Sequence, residues 1–490
     1  MLIIMITFSL FLLMVLLLSL TNYTKLKCLI SFHRNRHRLL DWYTDLLSSS
    51  FSQTIVVHRL GAPRTVVTAN RTNVEYVLKT NFHNFPKGKP FTDILGDLLG
   101  LGIFNVDGEL WSSQRKLASH EFTTRSLREF VVMALKQETK EKLLPLLEEA
   151  CEKETVVDLQ EVLRRFAFDV ICKVSLGIDS CRFDLSRLVN AFDRAAEISA
   201  KRGTAPVFLV WKVKRALGFG SEKVLREEIK LIHNSVAEII KNKRKALHDH
   251  DHDREVRSSC GGDLLTRLLM AGHEEEVVRD MVISFIMAGR DTTSAAMTWL
   301  FWLLSENPRV ENDVVEEVKS VMNNGDNVLN YDALQSMSFV KACLCEAMRL
   351  YPPVPWDSKH AGNDDVLPDG TAVRRGDRVT YFPYGMGRME EVWGKDCLEF
   401  RPDRWFGEPD GDYGSRFLEP VSPFKFPIFQ AGPRVCLGKE MAFTQMKYVV
   451  ASVLSRFEIR PVSLNRPVFV PLLTAHMAGG LKVLVRRRCD

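Results

Sequence analysis

Ten cysteines are scattered along this chain of 490 residues, and only Cys436 sits in a glycine-framed loop, Phe429-Gln-Ala-Gly432-Pro-Arg434-Val-Cys436-Leu-Gly438. A thiolate can serve as a metal ligand, and glycines let a backbone turn and approach a neighbouring group closely. A second candidate is Ala288-Gly-Arg290-Asp291-Thr292-Thr293, inside the apolar run Met281 to Leu304. Asp-Thr-Thr alone is an ordinary polar patch. Set in the middle of a core helix, it places an acid and hydroxyls where buried polar groups must find partners. Arg290 lies about 100° around the helix from Asp291 and is expected on another face. Glu346 and Arg349 stand three apart, which puts both charges on one helix face, although Glu161 with Arg164 and Glu306 with Arg309 do the same. Trp111 and Arg115, four apart, are by themselves no more than ordinary packing.

In order along the chain these elements resemble the cytochromes P450. The cysteine loop is similar to the family's haem-binding signature, Thr292 and Asp291 to its oxygen-activation motif, Glu346 and Arg349 with Pro402-Asp-Arg404-Trp405 to its buried charge triad, and Trp111 with Arg115 to its propionate-binding pair. The resemblance implies the following roles. Cys436 is the axial iron ligand, a thiolate that pushes electron density toward the metal. Arg434, Trp111 and Arg115 hold haem propionates, and Phe429, Gly432 and Gly438 shape the rest of the cofactor site. Thr292 and Asp291 serve oxygen and proton delivery. Glu346, Arg349 and Arg404 lock the segment that presents the cysteine loop. The cofactor is haem b, and the electrons come from an NADPH-cytochrome reductase.

The elements that must position these residues are mostly helical. Periodicity predicts helices from Leu127 to about Arg244 with breaks near Gly203, Pro206 and Gly218 to Gly220, another over Asp280 to Asn307, and one over Lys439 to Phe457. Thr54 to Leu60 and Thr65 to Ala69 read as strands of a hairpin, with Asn70 capping a helix toward Lys79. Asp369 to Pro383 reads as a second small sheet. The polar run from Asn242 to Gly262, with His248, His250 and His252, reads as a solvated loop rather than a metal site. Cys343 and Cys345, two apart on a helix, read as core cysteines. The expected fold is mainly α, the cytochrome P450 fold with small peripheral sheets and an N-terminal transmembrane helix.

Bulk composition is that of an ordinary globular chain with a large apolar core. Hydrophobic residues make up 46% and charged ones 26%, and 66 Lys and Arg against 61 Asp and Glu leave a net charge of +5, too mild for nucleic acid. Leu2 to Leu20 carries no charge and is long enough to cross a bilayer. Lys25, Lys27, Arg34, Arg36 and Arg38 follow it, which sets the body on the cytosolic side. The organisation expected is an anchor over 1–20, a basic linker over 21–45 and a haem-thiolate domain over 46–490, single-pass in the endoplasmic reticulum membrane and in contact with lipid. The proline-rich hinge usual in the resembled family is missing between Ile30 and Asp41.

A finer resemblance lies in Asn84-Phe-Pro-Lys-Gly88, Leu95 to Gly100 and Gly102 to Gly108, which are similar to the plant group that oxidises carboxylic-acid chains at their far end. Leu40 to Tyr43 and Asn81 to Phe85 look closest to the branch that oxidises jasmonoyl-isoleucine, family 94, subfamily C. That implies insertion of one oxygen atom from O2 at the terminal carbon of a small-molecule acid, giving 12-hydroxy and then 12-carboxy product. Phe91 to Phe104, Pro352 to Trp356 and Leu473 to His476 are the expected pocket walls. The alternatives are a general fatty-acid omega-hydroxylase, a haem-thiolate isomerase or dehydratase that does not activate oxygen, and a non-catalytic haem carrier.

Overall fold

The computed structural model describes residues 23–58, 62–178, 186–205, 209–249, 263–323, 329–407, 418–463 and 465–488. The expected transmembrane segment over 1–20 lies outside them. Among the described residues, no helix is long and apolar enough to cross a membrane.

Helices dominate, as the periodicity predicts. Those that build the interior are α1 (Gly88–Leu99), α2 (Gly108–Thr123), α3 (Leu159–Leu176), α4 (Ser186–Thr204), α5 (Glu275–Glu306), α6 (Ser338–Leu350) and α7 (Lys439–Leu454). The long helix α5 runs through the middle. Its Ala295 to Leu304 stretch is buried on every side, and a helix apolar all round belongs in the centre of a core. Trp299 there stacks on Tyr351 with ring centroids 3.9 Å apart. Helix α3 packs along α5 and starts at Asp158, whose carboxylate accepts from the amides of Gln160 and Glu161. It ends at Gly177, which takes a left-handed φ of 66°.

The hairpin forms as expected, with β1 (Thr54–Val57) antiparallel to β2 (Thr65–Thr68). Asn70 caps the next helix by accepting from the Thr72 and Asn73 amides. The segment expected to make a second small sheet divides: Ala372–Val373 does so, pairing antiparallel with Asp365–Val366, while the rest behaves differently. Arg378–Tyr381 joins the hairpin instead, parallel to β2, and Asp357–His360 completes the same sheet; with these as β4 and β3, the strand order is β1-β2-β4-β3. Strands some three hundred residues apart in sequence pair here, which short-range patterning cannot detect. A smaller sheet unites Val157–Asp158, Lys482–Arg487 and Phe457–Pro461.

Two other expectations are corrected. The helix Ser221–Asp249 extends into the run expected as a loop from Asn242, because its apolar stripe of Ile232, Val236 and Ile240 packs inward and carries the polar end with it. His250 and His252 lie outside the described residues. The last helix stops at Leu454, and Phe457 already begins a strand.

Cys343 and Cys345 are buried in α6, where burial raises the Cys343 thiol well above its ordinary range and takes Cys345 up to about 12. Both are inert core residues. No cluster of His, Cys, Asp or Glu among the described residues is arranged to hold a metal ion.

Candidate active site

The cysteine loop is held in shape by its own backbone and by the ion cluster behind it. The Cys436 amide donates to the Phe429 carbonyl at 2.7 Å. Gly432 takes a φ of 63°, and a β-carbon there would lie 2.0 Å from the Leu78 carbonyl oxygen. Gly432 is therefore demanded by a close crossing of two protein backbones. Beside Gly438, a β-carbon would meet no protein atom nearer than the Cys436 sulfur at 3.9 Å. That leaves space next to the sulfur.

The space is part of a cavity of about 470 Å³. Cys436 is exposed into it, not to bulk solvent. Enclosure by protein raises its thiol above the ordinary range; the Gly438 amide, Arg115 and Lys439 favour the thiolate and oppose that shift.

Across the cavity, α5 contributes Ala288, Gly289, Thr292, Thr293 and Ala296. The Thr292 hydroxyl donates to the Ala288 carbonyl at 2.6 Å, so its proton is engaged one turn back while its oxygen can still accept from a guest. Asp291 does not line the cavity. Its carboxylate accepts from Arg290 Nε at 2.6 Å and lies 3.8 Å from Arg164, and Asp193 of α4 bonds both arginines. The expectation for Arg290 is thereby corrected: its side chain is long enough to turn back to the adjacent carboxylate. Asp291 sits in a partly exposed ion cluster at the flank of α5, one residue from Thr292.

Trp111, Arg115 and Arg434 all reach the cavity wall. The Arg434 guanidinium stands over the Trp111 ring, 4.5 Å from its centroid, and donates to Asp107 at 2.7 Å and to the Val106 carbonyl at 2.9 Å. Its Nε is buried without a partner. Burial lowers the Arg434 pKa, with Asp107 and Asp357 opposing. Arg115 donates to the Val435 carbonyl, which ties α2 to the cysteine loop.

Behind the loop, Glu346 is fully buried and accepts from four groups. Arg349 bonds both its oxygens at 2.8 Å, Arg404 Nε bonds one at 2.8 Å, the Trp405 indole donates at 3.0 Å and the Arg401 amide at 2.9 Å. Arg349 also donates to the carbonyls of Gly387, Cys397 and Glu399. Of the three Glu-x-x-Arg matches, Glu346 and Arg349 thus form the buried pair; Glu161 and Arg164 meet at 3.4 Å with Glu161 exposed.

The cavity accepts the haem that the residues imply. A thiol faces open space, a glycine keeps the adjacent volume clear, and arginines beside it carry an unused buried donor for an acid group. The three expected walls do line the cavity: Phe91, Ile94, Leu95, Leu99, Ile103 and Phe104 from the first, Pro353, Val354 and Trp356 from the second, and Leu473 and Thr474 from the third. Sequence reasoning missed Ser199, Ala200 and Gly203 of α4, and it missed Lys87, Lys359 and Arg378. The lysines gave a signal only in Lys87, which belongs to the segment Asn84 to Gly88.

A family model described as Cytochrome P450 matches residues 28–476. The chain belongs to the cytochrome P450 family. A solved cytochrome P450DA heme domain superposes with a TM-score of 0.74 at 20% identity, covering 93% of each chain, which shows the shared fold. Cytochrome P450 94B1 of Arabidopsis thaliana is 66% identical over 477 residues, 96% of this chain and 92% of that protein. Cytochrome P450 94C1 of the same plant is 46% identical over 471 residues, 94% and 91% of the two chains. The plant 94 group expected from sequence is thus the right one, and the higher identity is to the subfamily B relative. This P450 is a haem-thiolate monooxygenase: a small-molecule substrate, O2 and electrons from a redox partner are its inputs.

Proposed function

We propose that this P450 inserts oxygen at the terminal carbon of a carboxylic-acid chain, with jasmonoyl-isoleucine or its 12-hydroxy derivative as substrate and the 12-carboxy compound as final product. The observation that carries the reading is that Asn84 to Gly108, the segment most similar to the terminal-oxidising plant group, supplies one whole wall of the cavity. A terminal methyl is harder to oxidise than an inner methylene, so the wall must admit the tip of a chain and hold the rest away. The ring-bearing Phe91 and Phe104 and the aliphatic Ile94, Leu95 and Leu99 make that wall apolar.

Haem b, held by Cys436 and flanked by Trp111, Arg115 and Arg434, supplies activation of O2 when bound. Thr292 orients the proton that this chemistry consumes, and Asp291, the adjacent residue, replenishes it from the partly exposed flank of α5, where Arg164 and Arg290 hold its carboxylate in place. Thr292→Ala is expected to retain haem and substrate binding while the peroxide released per NADPH rises and hydroxylated product falls. Measuring peroxide, NADPH and product together checks this; unchanged coupling would move the role to Asp291 or to water.

Electrons come from an NADPH-cytochrome reductase, and the protein sits on the endoplasmic reticulum membrane with its catalytic body in the cytosol. The Leu209–Leu217 helix supports contact with lipid, since it exposes Val210, Val213 and Leu217 among Lys212, Lys214 and Arg215. The test of the substrate is incubation with reductase, NADPH and each acid in turn, followed by mass-spectrometric location of the new oxygen. Turnover of long-chain fatty acids with neither jasmonoyl-isoleucine nor its 12-hydroxy form consumed would replace this reading with general fatty-acid omega-hydroxylation.

A further inference from the structure

A serine inside a helix either faces water or returns its hydroxyl to the carbonyl four residues back. Helix α5 takes the second course at Ser284, Thr292, Thr293, Ser294 and Thr298, each of which donates to that carbonyl at 2.5 to 2.9 Å. Ser199 of α4 takes neither. The residue is 1% exposed, its side-chain oxygen is buried without a hydrogen-bond partner, and it lines the cavity. Among the described residues it is the one orphaned hydroxyl in that wall.

The other orphaned groups of the wall, Arg434 Nε and Gln445 Nε2, belong to the cysteine loop and to α7 directly after it. Ser199 stands apart from that loop, on a helix that packs on α1 and on Ser221–Asp249. It lies about 9 Å along α4 from Asp193, which is tied to Arg290 of α5. Its neighbours in the wall are small: Ala200, and Gly203, where an added β-carbon would come within 3.8 Å of Ile94 of α1. Arg202, three residues on, is already engaged. It bonds Glu222 at 3.1 Å, Asp97 at 2.9 Å and the Ile94 carbonyl at 3.0 Å. A carboxylate brought to Ser199 would therefore meet a charge that is already neutralised, and its desolvation would go uncompensated. A neutral carbonyl oxygen asks for one donor, and the hydroxyl has one to give.

We propose that Ser199 is a specificity-determining residue whose hydroxyl donates to a ketone or amide oxygen in the body of the substrate, so that the cavity takes oxygenated acids in preference to plain acyl chains. The choice of acids rests on the terminal-oxidation reading above; the role of the hydroxyl does not depend on which carbon is oxidised. In an apolar wall such a bond is worth more than in water, and a plain chain packed there leaves the hydroxyl buried and unpaired. The site thus discriminates in both directions, by gaining a bond with one class and by stranding a donor with the other.

The test uses the haem-loaded protein with the variants Ser199→Ala and Ser199→Cys, the second being close to serine in size but a weak donor. Laurate, a series of laurates carrying one ketone at successive mid-chain carbons, and jasmonoyl-isoleucine are titrated against the haem absorption spectrum. In the unaltered protein at least one ketone-bearing laurate is expected to bind about three- to tenfold more tightly than laurate. Both variants are expected to erase that ratio and to weaken jasmonoyl-isoleucine by a similar factor, while laurate binds as well as before or better. A residue that merely packs would shift all the acids together. The proposal is overturned if no ketone-bearing acid outbinds laurate in the unaltered protein, if the ratio survives in both variants, or if the variants weaken every acid alike. The terminal-oxidation reading is decided separately, by where the new oxygen appears in each product: oxygen at an inner carbon would sink that reading and leave the affinity ratio to judge Ser199.

Discussion

Glu346→Ala is expected to give little or no haem-loaded protein. Removing that carboxylate leaves Arg349, which is fully buried, and Arg404 without their shared counter-charge, and it strips the acceptor from the Trp405 indole and the Arg401 amide. Breaking a buried pair on one side costs about 3 to 5 kcal/mol, a large fraction of the stability of an ordinary domain. The loss falls on the segment that leads into the cysteine loop, so cofactor capture should fail along with folding. Glu346→Gln keeps the hydrogen-bond acceptor while removing the charge and should fall between the two. Glu161→Ala breaks a pair of the same spacing, but Glu161 is exposed; its effect should stay within about 1 kcal/mol. Haem absorbance per protein across the three variants is the measurement. Full loading of Glu346→Ala would show that the four contacts on Glu346 do not hold the loop.

Cys436→His is expected to abolish the red-shifted absorption band of the reduced carbon monoxide complex, the signature of thiolate ligation, and monooxygenase activity with it. The sulfur is the group presented beside the clear volume at Gly438, and the loop around it is fixed by the Phe429 carbonyl and the Gly432 crossing. An imidazole placed there still offers a donor atom to iron, so haem binding can survive while the electron push of the thiolate is lost. A red-shifted band surviving in Cys436→His would mean that another sulfur ligates the iron, yet the other described cysteines are buried or half-buried and none lines the cavity.

Much of this site was legible before the fold was known, and the reason is local. The cysteine loop, Thr292 in its apolar helix, and Glu346 with Arg349 each announce themselves within a few residues, so spacing and burial logic reach them. What was not legible depended on distant pairing. Lys359 contacts Asp357 only two residues away on β3, but Lys87 arrives at the same carboxylate from another part of the chain, 270 residues distant. Asp291 shows the opposite failure. Helix geometry places it next to Thr292 but does not reveal that α4 and α3 supply Asp193 and Arg164 to hold it outside the cavity. Polar runs misled as well: the charged residues from Asn242 to Asp249 look like loop, yet the helix continues because its inward stripe decides.

The central claim is that this P450 places one atom of O2 on the far end of an acid chain. It is tested most directly by supplying isotopically labelled dioxygen, NADPH and reductase with jasmonoyl-isoleucine and fragmenting the product by mass spectrometry. The account predicts a single labelled oxygen in the first product, located at the terminal carbon, with no product when reductase or NADPH is withheld. Product formed without a reductant, or carrying oxygen from water, or labelled at an inner carbon, would contradict it.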